Sequence, residues 1–161
     1  MNGEDQAAVI SAVLAGSRLL VAIAARSLGA VADRVTVPQF RMLVVLSGHG
    51  ETKLVTMAEL LAVNSSTAMR MADRLAAAGL VVREVNPMNR RESLMRLTDE
   101  GRRIVDQVTA RRRDEIAAIV SRMSPAERQA LVSAMTAFNE AGGEPAPTLR
   151  AGSHPLGWPD A

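Results

Sequence analysis

The chain has 161 residues, 48% of them apolar, with 19 Lys and Arg against 17 Asp and Glu and no cysteine, which suits one compact domain or an intertwined pair of small ones. Collagen-like, low-complexity and disulfide-scaffold classes are excluded. The net charge is only +2, but residues 64–96 hold six basic and three acidic side chains, so the positive excess sits in one short segment that needs explaining.

The first charges are Glu4 and Asp5, and no basic side chain precedes Arg18, so a secretory signal is not expected. The longest uncharged run, residues 6–17, is closed by Arg18 and is shorter than the roughly 20 residues that cross a bilayer. A cytoplasmic protein without membrane association is expected, and the missing thiols fit a reducing compartment. His49 and His154 are far apart in the chain, so no metal or other cofactor is expected.

In chain order, residues 5–32 are Ala-rich and free of Pro. Val9, Ile10, Val13, Leu14, Leu20, Ile23, Leu28 and Val31 recur at helical spacing and predict one long helix, with Gly16 and Gly29 as points of loosening. Thr36, Pro38 and Gln39 form a start signal for a second helix over 38–47, closed by Gly48 and Gly50. Lys53, Leu54 and Val55 suffice only for a short strand. Thr56-Met57-Ala58-Glu59 reads as a capping box for a helix through Ala62. Asn64, Ser65 and Ser66 supply the next cap, and Ala68, Met71, Ala72 and Leu75 line the buried stripe of a helix closing at Gly79.

Two short helices with a polar turn between them outline a helix-turn-helix. Strands at 80–85 and 92–97 joined by a turn at 86–90 add a β-hairpin, which makes the unit a winged helix. Thr98 then caps a long helix carrying Ile104, Val105, Val108, Ile116, Ile119 and Met123, and Ser124-Pro125-Ala126-Glu127 starts another with Leu131, Ala134, Met135 and Phe138. Residues 142–161 are rich in Gly and Pro, include Trp158, and read as a disordered or extended tail. The fold class expected is mainly α with a small β-hairpin wing.

The run Ser66-Thr67-Ala68-Met69-Arg70-Met71-Ala72-Asp73-Arg74-Leu75, then Gly79-Leu80-Val81 and Arg83, then Asn89-Arg90-Arg91 and Leu97-Thr98-Asp99-Glu100-Gly101, resembles the MarR family of bacterial transcriptional regulators. The resemblance extends over about residues 5–140 and is most specific through 64–101. It implies a winged helix-turn-helix DNA-binding module at 36–97, dimerisation helices at 5–35 and 98–141, and a small aromatic or anionic effector between the two lobes. The chain departs from the family pattern at Asn89, where the wing usually has Asp, and at Met69, where the recognition helix often has Thr.

Duplex DNA favours localised basic charge, because each phosphate neutralised releases counterions. Thr67, Arg70 and Arg74 fall at i, i+3 and i+7, opposite Ala68, Ala72 and Leu75, so the outward face of the recognition helix is the basic one. Arg70 or Arg74 can pair bidentately with a guanine, while Ser65 and Ser66 stand where a helix N-terminus meets phosphate or base edges. An Arg70–Asp73 pair on a solvated face is the competing reading. Arg90 and Arg91 at the hairpin tip suit a minor groove, with Asn89 and Arg83 as wing support. The Arg111-Arg112-Arg113 run beside Asp114 and Glu115 reads as a salt-bridged face or dimer contact.

Long apolar helices on both sides of the basic module exceed what one small lobe can cover, so a homodimer reading an inverted repeat in double-stranded DNA is expected, and the family resemblance implies that it acts as a repressor. The second reading is a winged-helix protein-interaction module without specific DNA binding. No paired nucleophile and base, phosphate-cradling loop or metal-ligand spacing supports an enzyme.

Overall fold

A computed structural model describes residues 3–143, so the tail reading and Trp158 lie, apart from Gly142 and Gly143, outside the described residues. The first helix, α1 (Gly3–Gly29), passes unbroken through Gly16 and ends at Gly29. Its two halves differ. Val9, Ile10 and Leu14 are exposed, whereas Ile23 and Ser27 are buried, and the Ser27 hydroxyl donates back to the Ile23 carbonyl at 2.7 Å, so no polar group is stranded there. By length and composition α1 could cross a membrane, with a mean hydropathy of 2.1 over its best window; counting uncharged runs overlooked this, because Arg18 interrupts the run without making the window polar. The C-terminal part of α1 is nonetheless tied into the body, packing on α5 (Asp99–Val120) and pairing Arg26 with Glu115 at 2.7 Å.

Helix α2 (Val37–His49) begins as its sequence predicts: the Thr36 amide donates to Gln39 Oε1 at 2.8 Å, the reciprocal bond closes the capping box, and Pro38 stands in the first turn. It is apolar on nearly every side, and Phe40 and residues 42–46 are buried, which makes it the central post of the fold. Gly50, at φ 73°, ends it in a conformation that glycine adopts at no steric cost.

Strand β1 (Thr52–Lys53) leads directly into α3 (Leu54–Leu60). The capping box expected at Thr56 does not form. Lys53 is the N-cap, without a side-chain bond, because β1 pairs Thr52 with Met95 and Lys53 with Leu94 and delivers the chain into the helix with Leu54, Met57 and Ala58 already facing the core. Tertiary pairing here overrides the local signal.

Helix α4 (Ser65–Ala77) is capped by Asn64, whose side-chain oxygen accepts from the Thr67 amide at 2.8 Å. Ser65 and Ser66 are therefore first-turn residues; Ser66 donates to the same Asn64 oxygen. After α4, Gly79 at φ 72° turns the chain into β2 (Val81–Val85), which pairs antiparallel with β3 (Ser93–Leu97) in a sheet ordered β1-β3-β2. Helix α5 starts under Thr98, whose hydroxyl donates to the Gly79 carbonyl at 2.8 Å and accepts from the Gly101 amide at 3.0 Å. Gly101 is required by packing: a Cβ there would lie 2.1 Å from the Leu80 carbonyl oxygen. A second capping box, Ser124 with Glu127, opens α6 (Pro125–Ala141), none of whose residues is buried.

The core is shared by α2, α3, α4, the sheet and the start of α5, with Met42, Leu43, Leu46, Met57, Leu75, Leu80, Met95 and Ile104 fully enclosed. The fold is thus mainly helical with a small three-stranded antiparallel sheet, as expected.

Candidate nucleic-acid interface

Helix α4 divides cleanly into two faces. Ala68, Ala72 and Leu75 are buried, while Ser65, Ser66, Arg70, Asp73 and Arg74 are exposed and Thr67 is half-buried. Small alanines on the inner face let α4 sit close on α3, and the outer face is left to long polar groups. The Arg70–Asp73 pair of the competing reading does not form. Asp73 is taken by Arg83 from β2 at 2.5 Å, and Arg70 instead donates to Thr67 Oγ1 at 3.3 Å. Neither Arg70 nor Arg74 has a carboxylate partner among the described residues, so both guanidinium groups are available to an external anion.

Arg83 also donates to Ser93 Oγ at 3.2 Å. Its support is thus directed at the helix and the facing strand.

The wing loop, 86–92, is held by a compact set of bonds. Asn86, buried at its neck, accepts from the Met88 amide at 3.0 Å and donates through its side chain to Glu92 at 2.8 Å. Its amide donates to the Glu92 carbonyl at 2.9 Å. Asn89 accepts from the Arg91 backbone amide at 3.2 Å, so it supports the loop through the main chain and not through the Arg91 guanidinium. Glu92 pairs with Lys53 of β1 at 3.0 Å, tying the loop to the sheet's far edge. The Lys53 ammonium first, then Asn86, hold the Glu92 carboxyl below its ordinary value. Arg90 and Arg91 are exposed beyond this framework. Sequence reasoning named Asn89 and Arg83 but missed Asn86, Glu92 and Lys53; the Glu92–Lys53 contact joins residues distant in the chain, and no local pattern announces it.

The Arg111-Arg112-Arg113 run departs from the salt-bridged reading. Glu115 pairs with Arg26, and none of the three arginines has a carboxylate partner among the described residues. Arg112 is half-buried and lines a cavity of about 410 Å³ between α1, α2 and α5, together with Val21, Leu28, Phe40 and Val108. Burial lowers its guanidinium pKa from the ordinary value. A cationic group in the wall of a mostly apolar cavity, which Ser27 also lines, suits a small anion with an apolar body.

A family model described as the MarR family matches residues 35–93. The crystal structure of RV1404 from Mycobacterium tuberculosis is 54% identical and superposes with a TM-score of 0.80, covering 85% of this chain and 94% of that one. The HTH-type transcriptional repressor MdtR of Bacillus subtilis is 36% identical over 93 residues, 58% of this chain and 60% of that protein. A MepR mutant of S. aureus bound to an oligodeoxyribonucleotide, 18% identical with a TM-score of 0.66 over 83% of this chain and 96% of that one, shares the fold.

Proposed function

Because the chain belongs to the MarR family of DNA-binding transcriptional regulators, we propose that it acts in the cytoplasm as a homodimeric repressor of an inverted-repeat operator. The observation that carries this is the outer face of α4, where Arg70 and Arg74 stand exposed without carboxylate partners among the described residues while Asp73 is turned to the wing. In this reading 36–97 is the DNA-binding module. Thr67, Arg70 and Arg74 enter a major groove, Ser65 and Ser66 meet its phosphate edge, and Arg90 and Arg91 reach the neighbouring minor groove, with Asn89 and Arg83 holding the wing. The name of MdtR supports repression, and MepR, which shares the fold, is bound to an oligodeoxyribonucleotide, in keeping with DNA as the partner.

The helices at 5–35 and 98–141 form the dimer interface. Val9, Ile10 and Leu14 on α1 and Leu131, Val132, Met135 and Phe138 on α6 are exposed apolar side chains at helical spacing, more than an ordinary monomer surface leaves in water. Pairing two copies about a two-fold axis covers them and sets two recognition helices about 34 Å apart, one turn of duplex.

A small aromatic or anionic effector lies in the cavity beside Arg112. Since the cavity is formed by helices of both lobes, a ligand there regulates by favouring one separation of the recognition helices over another. The deciding experiment is selection of bound duplexes from a random pool at two salt concentrations. An inverted repeat, with a salt dependence that becomes shallower in Arg70→Ala and Arg91→Ala, supports the reading; sequence-independent binding, or unchanged affinity in both variants, overturns it.

A further inference from the structure

Met69, 42% exposed, is the large apolar side chain that α4 leaves in water. Met71, two positions on, is half-buried against the core, as a methionine serving as filler is. On an ordinary surface a single exposed apolar side chain needs no explanation. Met69, however, stands next to Arg70 and shares its flank of the helix with Ser66 and Asp73, at i−3 and i+4. Asp73 is fixed by Arg83 and the Ser66 hydroxyl donates to Asn64, which leaves Met69 as the side chain on this flank with freedom to meet a base. The cap at Asn64 places Met69 within the first turns of the helix, the part of a recognition helix that meets base edges.

Base-pair edges in the major groove present donors, acceptors and one apolar group, the C5 methyl of thymine. A thioether offers no strong donor or acceptor and would leave any polar base edge unsatisfied on contact. Its unbranched, polarisable chain can instead follow a methyl group whose position shifts slightly from site to site. We propose that Met69 is a specificity-determining residue that reads a thymine methyl in each operator half-site, beside the base contacted by Arg70. This rests on the DNA-reading role proposed above and adds to it the identity of one base.

The test replaces each thymine of the selected operator, in turn, by deoxyuridine, which removes only the methyl and keeps the pairing edge. Binding is followed by fluorescence anisotropy. For the full-length protein one position per half-site is expected to weaken binding about fourfold, the transfer value of one methyl-sized group, and about 15-fold when both half-sites are changed. Met69→Ala binds the thymine and deoxyuridine operators equally, and Met69→Leu retains most of the difference. Met69 is exposed, so neither variant removes a core contact. Specific binding that is indifferent to deoxyuridine at every thymine, or the same penalty surviving in Met69→Ala, overturns the assignment and leaves the DNA-reading role standing. Failure to select any preferred sequence overturns both.

Discussion

Arg83 Nη1 on β2 lies 2.5 Å from Asp73 Oδ1 on α4, and the same guanidinium reaches Ser93 on β3 at 3.2 Å. One side chain therefore fixes the recognition helix against the wing that follows it. The pair is partly exposed, so its contribution to stability is small, about 0–1 kcal/mol. Its value lies in geometry, since two elements proposed to enter adjacent grooves would lose affinity if their angle were free. Arg83→Met is expected to leave urea denaturation nearly unchanged while weakening operator binding by about tenfold, and Asp73→Asn should do the same. A matching loss of stability in both would show that the bond holds the fold and not the reading geometry.

Gly101 sets how closely α5 approaches the turn after α4. Its missing Cβ leaves room for the Leu80 carbonyl oxygen, which would otherwise lie at 2.1 Å. Backbone cannot rotate away as a side-chain tip can, so Gly101→Ala must push α5 outward and strain the Thr98 bonds. The expected cost is about 1–3 kcal/mol, the range for overpacking a closed site, read from the midpoint of chemical denaturation.

The Glu92 latch predicts an acid-sensitive wing. Lys53 and Asn86 hold the carboxyl below its ordinary pKa of 4.5, so the folded value lies under the unfolded one. The latch is then complete above that ordinary value and is lost as pH falls through the lower folded value. Amide exchange at Met88 and Arg91, whose N–H groups are bound within the loop, is expected to stay slow near pH 5 and to accelerate in stronger acid once the intrinsic pH effect is removed. Glu92→Gln should lack that step.

The apolar faces of α1 and α6 predict a specific way to break the proposed dimer. Val13 and Phe138 are 37% and 53% exposed and lie outside the core. Val13→Glu and Phe138→Glu should stay folded by circular dichroism yet sediment as monomers, and operator affinity should fall by about a hundredfold or more as the second half-site is lost. Dimers surviving in both variants would remove these helices from the interface.

Arg112 supplies the charge at the cavity between α1, α2 and α5. With benzoate as probe, calorimetric titration is expected to show binding to the wild type and about tenfold or greater loss in Arg112→Met, which keeps the apolar stem but cannot form a charge-assisted bond. Operator binding without benzoate should be unaffected by the substitution. Equal benzoate affinity in the two proteins would rule out this cavity as an anion site.

Much of the fold was legible because its signals are local. The capping boxes at Thr36 and Ser124, the Thr98 cap and the Gly79 turn each depend on residues within four positions of one another, and all four form where the sequence places them. Thr56 shows the limit, for it carries the same signature, yet strand pairing of Thr52 and Lys53 starts the helix earlier. The candidate site divides in the same way. The outward face of Arg70 and Arg74 follows from helical spacing, but the ownership of Asp73 does not. Spacing alone allows Arg70 or Arg83 as its partner, and only the packing of β2 on α4 decides between them.

By itself, the sequence determined the order of elements, the location of the basic excess at 64–96 and the resemblance to a winged helix-turn-helix family, since all three are written in local patterns of apolarity, capping and charge. The tertiary structure alone decided which charges are already spent and which remain free. Arg83 is engaged with Asp73, and Lys53 with Glu92, whereas Arg70, Arg74 and Arg112 have no carboxylate partner among the described residues. The physical reason is that an ion pair forms between groups close in space, and distance in space between residues far apart in the chain is settled only when the core closes.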